Sequence, residues 1–389
     1  MIILIAFSQQ MGLAIITPSL PEMARELSVS MFSVMGLYMI GMGVGQFFWG
    51  SWSDILGRKK LMSIGVFIFA ATSFFITVAT SPYLINFLRF IQGFSTGAMY
   101  SISQAIIADQ SETKEYMIGS IAVSDFGFGI AWIILPFIGG IIALLNNWKI
   151  NFYLMSGFVF IVSLLCLIFV HETRKQELRQ QRNIKNTIKL FLSMYKNSQY
   201  IVIPLLIAIP NAFFAAFNTT APKILIADLH KSTMTIGVMA SIIGISYTAA
   251  IFFNIGFLNK KQSKKIINAM TVLFVMLTAI QLLFAILGML NMSTLYIPMI
   301  LNVMVWGIMF PHILGHGLTL YKEDGGTVGS HLGFTFFILA GAATYLFGIL
   351  FKDNSLGISL FTFIMSIITI CLVIYFNRAN RLTLNQNPY

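Results

Sequence analysis

Charge is what this chain has least of. Of its 389 residues only 13 are acidic and 10% are charged in all, against about 25% in a typical soluble domain. A water-facing surface cannot be covered with so few ionic groups, so a soluble globular protein is excluded. Cysteine is nearly absent too: Cys166 and Cys371 both lie in apolar runs, which leaves no disulfide framework and no cysteine-based metal site. No Walker-type phosphate loop is present, so ATP hydrolysis is not an energy source. No polar segment exceeds about 30 residues, too little for a folded soluble appendage.

The chain is instead rich in long apolar runs. Hydrophobic residues make up 57% of it, Phe alone occurs 36 times, and the mean hydropathy is +0.84. Twelve runs reach the roughly 20 residues that cross a bilayer as a helix, at about 1–21, 31–50, 61–80, 84–107, 117–144, 151–170, 199–220, 233–257, 267–290, 294–320, 327–350 and 356–376. They are too long and too continuously apolar for barrel strands. The predicted fold class is therefore all-α, with twelve transmembrane helices. The first run has no basic leader and no small-residue cleavage site, so it reads as a helix rather than a signal peptide.

The net charge of +11 is a topology signal. With the N-terminus inside, 18 Lys and Arg fall on cytoplasmic segments, five fall outside, and Arg89 lies in a span. Both termini are expected in the cytoplasm, and no nucleic-acid partner is expected. Six runs precede a basic linker and six follow it. The expected organisation is an N-terminal half over 1–171, a cytoplasmic linker over 172–198, a C-terminal half over 199–377 and a cytoplasmic tail over 378–389. The linker holds an amphipathic patch at Ile188–Met194. The halves share a weak repeat: Gly50 followed by Arg58, Lys59 and Lys60 in the first, Gly256 followed by Lys260, Lys261, Lys264 and Lys265 in the second.

Several motifs punctuate the runs. Between the second and third stands Gly50-Ser-Trp-Ser-Asp54-Ile-Leu-Gly57-Arg58-Lys59-Lys60. The fourth holds Arg89-Phe-Ile-Gln92-Gly93, and the fifth ends in Pro136-Phe-Ile-Gly139-Gly140. Tyr38, Gly41, Gly45 and Gln46 precede Gly50 at regular spacing. The second half contains Gly307-Ile-Met-Phe-Pro311 and Gly326-Thr-Val-Gly-Ser-His-Leu-Gly333. Together these resemble the major facilitator superfamily of transporters, and within it the Bcr/CflA (bicyclomycin/chloramphenicol) drug-resistance branch. Two positions depart from that branch. Ala14 stands near the place of its usual first-helix aspartate, and Ala108 precedes Asp109 where an arginine is usual.

The resemblance implies a 6+6 secondary transporter, not an enzyme, working by alternating access in a bacterial inner membrane. The function expected is proton-coupled export of a small amphipathic organic compound, with the proton gradient as energy source and no cofactor. Its partners would be that compound, protons and the lipid bilayer, and a monomer is expected. An importer or facilitator of a metabolite or siderophore-like compound is the alternative within transport. A non-transporting receptor or a membrane enzyme on the same scaffold is the alternative outside it.

Candidate site residues follow. Gly50, Asp54, Gly57 and Arg58 form a candidate gate: an anion at the cytoplasmic end of the second helix can meet the N-terminus of the eleventh, near Thr327. The alternative is that this segment only sets topology. Arg89 needs a partner or a wet cavity, Gln92 being one turn away, or else snorkels to the outer interface. Asp125 is the one acid well inside a span, about 12 Å along the fifth run, which suits a proton carrier, a cation anchor or a hydrogen-bonded structural group. Proton coupling is assigned to Asp125 and Arg89. The resemblance places the cavity among helices 1, 4, 7 and 10. Its candidate substrate-binding residues there are Gln9, Gln10, Gln92, Asn211, Asn218, Asn302 and Trp306, with Gln104 a further lining candidate. Tyr38 and Tyr247 are added from helices 2 and 8. His312, His316 and His331 lie toward the cytoplasmic side as a gating cluster or as ordinary packing. No acid or cysteine completes a metal set around them, so no metal is expected.

Overall fold

The computed structural model describes residues 1–111, 114–173, 184–197, 200–258, 263–289, 291–320, 325–351 and 354–386, and among them the secondary structure is helical throughout. Twelve long helices form the bundle. They are α1 (Ile2–Leu27), α2 (Met31–Leu56), α3 (Arg58–Val78), α4 (Pro82–Gln110), α5 (Lys114–Ala143) and α6 (Lys149–Phe169), then α7 (Val202–Lys223), α8 (Thr233–Phe253), α9 (Ser263–Ile286), α10 (Met292–Leu320), α11 (Gly325–Leu350) and α12 (Ser355–Gln386). A shorter linker helix, Ile184–Met194, lies between α6 and α7 where the amphipathic patch is predicted.

Among the described residues, 11 helices are long and apolar enough to cross a membrane. The exception is α4, and burial explains it. Its polar residues Arg89, Gln92, Ser95, Thr96 and Ser103 are all buried inside the bundle. A helix shielded from lipid by its neighbours does not need a lipid-compatible surface. Elsewhere the outer face is apolar, as at Phe169, Ile349 and Leu350.

Two helix ends depart from the sequence-based spans. The polar segment 50–60 is expected as a loop, yet α2 runs to Leu56 and α3 starts at Arg58. Only Gly57 breaks the helix, at φ 100°, a backbone conformation that glycine adopts without a Cβ penalty. Polar side chains do not end a helix that has left the hydrocarbon for hydrated surroundings. For the same reason α12 continues to Gln386 through the segment expected as a tail. In α1, Pro18 and Pro21 force a one-turn 3-10 segment at Thr17–Ser19 between Ile2–Ala14 and Leu20–Leu27.

Two apolar cores fill the bundle. One is built mainly from α1–α6 and takes in Ala212, Ala215 and Ala340 from the later helices. The other is built from later residues and takes in Phe32 of α2. Two seams join them. Along the first, α2 lies on α11: Gly36 faces Gly341, Gly43 faces Phe334 and Ile338, and Gly50 faces Ser330. Along the second, α5 lies on α8: Gly140 faces Gly237, and Gly244 faces Trp132. The helix end bearing Arg58 is called the basic end below. At the opposite end, the Thr17–Leu27 part of α1 packs on α7.

Candidate functional site

Arg89 is wholly buried and fully engaged inside the first half, so it does not snorkel. Its Nε donates to the Val34 carbonyl at 3.2 Å, Nη2 to the Gly12 carbonyl at 2.9 Å, and Nη1 to Gln92 Oε1. The guanidinium also sits over the Tyr38 ring, its carbon 4.3 Å from the centroid. Gln92 passes the network on, its Nε2 donating to Ser73 Oγ at 2.6 Å. Tyr38 shares a hydrogen bond with Thr96 Oγ1 at 2.8 Å, and its hydroxyl donates to the Gln9 carbonyl at 3.4 Å. One cation thus ties α1, α2, α3 and α4 together. Gln92 and Tyr38, expected on the cavity wall, are instead buried and committed to this network. Such close meeting of α2 and α4 needs small residues: a Cβ at Gly93 would overlap the Tyr38 carbonyl. Gln9 and Gln10 are buried, and the Gln9 amide oxygen has no partner among the described residues.

At the basic end Arg58 is the centre of a second network. It pairs with Asp54 one turn earlier and with Asp109 at the end of α4, Nε to Oδ2 at 3.1 Å. Its Nη1 donates to Ser53 Oγ, and its backbone N–H donates to Glu172 Oε1 at 3.0 Å. The Thr173 hydroxyl donates to Asp109 at 2.9 Å. Glu172 therefore supplies an acceptor to the first free N–H of α3, where negative charge also meets the positive end of the helix dipole. The cluster joins α2, α3, α4 and the segment after α6. The neighbourhood of Thr327 lies outside the residues with described side chains, though Gly50 lies against Ser330 of α11.

His312 and His331 stand among different partners. His312 places Nδ1 3.0 Å from Ser263 Oγ and Nε2 2.9 Å from Asn254 Oδ1, bridging the ends of α8 and α9. His331 is buried among the rings of Phe191, Tyr195 and Tyr200, at 4.6, 4.3 and 5.2 Å. The His316 side chain lies outside the described residues. Tyr195 shares a hydrogen bond with Thr335 Oγ1 at 2.9 Å, so the linker segment is docked on α11. Burial pushes the Tyr195 hydroxyl above the ordinary tyrosine range, outweighing that hydrogen bond, and keeps it protonated near neutral pH. Among the described residues no group of three or more metal-ligating side chains forms.

Between the halves the chemistry is different. Trp306 of α10 stacks on Tyr247 of α8 at 5.1 Å and 25°, and lies parallel to Phe336 of α11 at 6.3 Å and 8°. Phe214 of α7 approaches it at 6.4 Å, and Trp132 of α5 approaches Phe214 at 5.3 Å. Trp306 thus faces the interior, not lipid. Asn302, one turn away on α10, is fully buried, and neither atom of its amide has a partner among the described residues. The same holds for Trp306 Nε1 and for the amide nitrogens of Asn211 and Asn218. Asp125 sits about 16 Å along α5 from its start at Lys114. It is exposed and lies within electrostatic reach of the hydroxyls of Tyr100 on α4 and Tyr247. Phe128, one turn on, meets Tyr100 edge to face at 6.2 Å. A groove of about 480 Å³ at the opposite end is lined by Ser33, Asn86 and Tyr345.

The helix order, the glycine-packed seams and the Arg58 cluster agree with one family. The chain matches the Major Facilitator Superfamily over residues 2–344. It belongs to that superfamily. Membership, with the comparisons that follow, makes it a membrane transporter rather than an enzyme. It is 30% identical over 193 residues to the bicyclomycin resistance protein homolog of Haemophilus influenzae, covering 49% of this chain and 48% of that one. It is 25% identical over 339 residues to multidrug resistance protein D of Escherichia coli, covering 86% and 84%. Both agree with the Bcr/CflA branch. In fold it is similar to the xylose transporter XylE of E. coli, TM-score 0.75 at 14% identity over 97% and 95% of the two chains. It is similar also to the nucleoside transporter NupG, TM-score 0.67 at 17% identity over 97% and 96%.

Seen as a major facilitator protein, the chain has candidate site residues that its sequence did not single out. Trp132, Phe214 and Phe336 complete the central aromatic group, Tyr100 pairs with Phe128 near Asp125, and Glu172 joins Asp109 in the basic-end cluster. Only Trp132 had a usable signal, standing two turns beyond Asp125 on the same face of α5.

Proposed function

We propose that this protein exports a small amphipathic organic compound across a bacterial inner membrane in exchange for protons, with both termini cytoplasmic. The observation that carries the reading is Asp125: an acid in a membrane helix, within electrostatic reach of Tyr100 and Tyr247, the latter part of an aromatic wall where the halves meet. A carboxylate at that depth is costly unless neutralised, and proton uptake neutralises it. Cycles of uptake and release tied to alternating access couple a proton gradient to solute movement. The names of the drug-resistance relatives support export. The charge distribution supports the orientation, since the basic end, with Arg58, Lys59 and Lys60, would face the cytoplasm.

In this reading the Arg58 cluster and the α2–α11 seam form the cytoplasmic gate, with Gly50, Asp54 and Gly57 shaping it. His312 holds the basic ends of α8–α10 and His331 holds the linker segment. Asn211, Asn218, Asn302, Tyr247 and Trp306 bind the solute. Arg89 contributes by rigidifying the first half rather than by carrying protons. Purified protein in liposomes tests the whole. An imposed pH gradient should drive solute accumulation by wild type and not by Asp125→Asn, and wild-type flux indifferent to the gradient would refute the proton-coupled reading.

A further inference from the structure

The linker helix Ile184–Met194 has two kinds of surface. Phe191 and Met194 are buried against the bundle. Phe191 straddles the α2–α11 seam, its ring centre 4.4 Å from that of Phe47 on α2 and 5.3 Å from that of Phe334 on α11. Ile188 and Leu192, one turn apart, form an exposed apolar stripe, with Leu192 56% exposed. Lys189 beside that stripe and Lys196 just past the helix end are exposed as well. The segment 174–196 carries seven Lys and Arg against one acid, Glu177. An apolar stripe edged by bases is the pattern of a helix that lies in a membrane interface.

The seat of this helix on the bundle points the same way. It covers His331 and Thr335 of α11 through the Phe191 and Tyr195 rings and the Tyr195–Thr335 hydrogen bond. These two positions belong to the outward face of α11. Ile349 repeats His331 about five turns on, Leu346 repeats Thr335 about three turns on, and both are exposed. On α2 the contact residue Phe47 is followed by Phe48, itself exposed. His331 lies about 27 Å along α11 from Ile349, close to the ~30 Å thickness of a hydrocarbon core. The helix therefore covers the seam from the lipid side, at the level of one headgroup layer. In the orientation proposed above, on which this inference rests, that layer belongs to the cytoplasmic leaflet, where anionic lipid attracts bases. We propose that the linker helix docks on anionic phospholipid of this leaflet, with Ile188 and Leu192 among the acyl chains and Lys189 and Lys196 on headgroup phosphates. Held there, Phe191 keeps the α2–α11 seam closed.

Fluorescence of the purified full-length protein tests this. A polarity-sensitive label is placed at Leu192→Cys in a Cys371→Ser background, Cys166 being buried. The protein is reconstituted in phosphatidylcholine bilayers with increasing fractions of phosphatidylglycerol. As that fraction rises, the label should be quenched by a nitroxide on the acyl chains and shielded from aqueous iodide. Lys189→Gln should raise the fraction needed for half-maximal shielding about fivefold. Cysteines at Gly50 and Ser330 should crosslink more with phosphatidylglycerol than without it, and Phe191→Ala should abolish that difference. Iodide quenching that is equal with and without phosphatidylglycerol, or a half-maximal fraction unchanged in Lys189→Gln, overturns lipid docking. Shielding that appears in lipid-free detergent and grows with protein concentration assigns the stripe to a second copy and overturns it too. Equal crosslinking in both bilayers, despite docking, overturns the link to the seam. If Leu192→Cys is not monodisperse, Ile188→Cys carries the label. The bilayers are symmetric, so docking is read whichever way the protein inserts. Flux without docking removes this inference and leaves the transport reading intact, and docking without flux does the reverse.

Discussion

The Arg89 guanidinium carbon lies over the Tyr38 ring, 4.3 Å from its centre, and among the described residues no carboxylate is bonded to it. A buried cation is stabilised here by carbonyl dipoles, one amide and a ring quadrupole. Each bond is aimed by the planar fork of the guanidinium, which a lysine cannot reproduce. Arg89→Lys should therefore destabilise the protein by about 2–4 kcal/mol, read as a lower melting temperature in detergent and lower membrane abundance. Gln92→Leu should lose less, because the carbonyl acceptors remain.

Gly57 separates α2 from α3 at φ 100°. Gly57→Ala should cost about 1 kcal/mol or more from backbone strain. The bulkier Gly57→Leu should also slow alternation, seen as reduced flux from protein that is still inserted. Normal flux and normal stability in both variants would show that the turn tolerates a side chain.

Arg58 holds Asp54 and Asp109 together. Because both acids share one cation, Asp54→Asn and Asp109→Asn should be non-additive, with a coupling of about 0.5–3 kcal/mol in a double-mutant cycle. Crosslinking of cysteines placed at Gly50 and Ser330 should report a shifted seam population in either single variant. Unchanged crosslinking together with wild-type flux would reduce this cluster to a determinant of topology.

Trp306 is held by three near-parallel rings. Trp306→Ala should change solute affinity or preference by roughly 0.5–2 kcal/mol without loss of membrane abundance. Affinity for an identified substrate that stays at the wild-type level would remove Trp306 from the site.

His312 and His331 sit in different surroundings and should respond differently. His312→Ala removes acceptor and donor contacts to Ser263 and Asn254 and should loosen the basic ends of α8–α10. His331→Phe replaces one ring by another among Phe191, Tyr195 and Tyr200 and should be tolerated within about 1 kcal/mol. Hydrogen exchange over 250–270 and over the linker helix would separate the two effects.

Which segments enter the membrane was legible in the residues, because a bilayer imposes a one-dimensional test on length and apolarity. All twelve expected runs coincide with long helices, and the patch at Ile188–Met194 is helical. Arg58 and Asp54 could be flagged for the same reason, as charges at the edge of apolar runs. The partners of buried side chains were not legible. Arg89 and Asp125 looked alike as charges in apolar runs, yet one is consumed by carbonyls of α1 and α2 while the other is exposed between the halves. Gln92 and Asn302 are both buried amides at helical positions, yet one has a partner at each amide atom and the other has none among the described residues. Those differences depend on helix rotation and on which neighbour fills each face. Packing among helices distant in sequence sets both, and α4 shows the extreme case: a helix too polar for lipid becomes a membrane helix because its neighbours surround it.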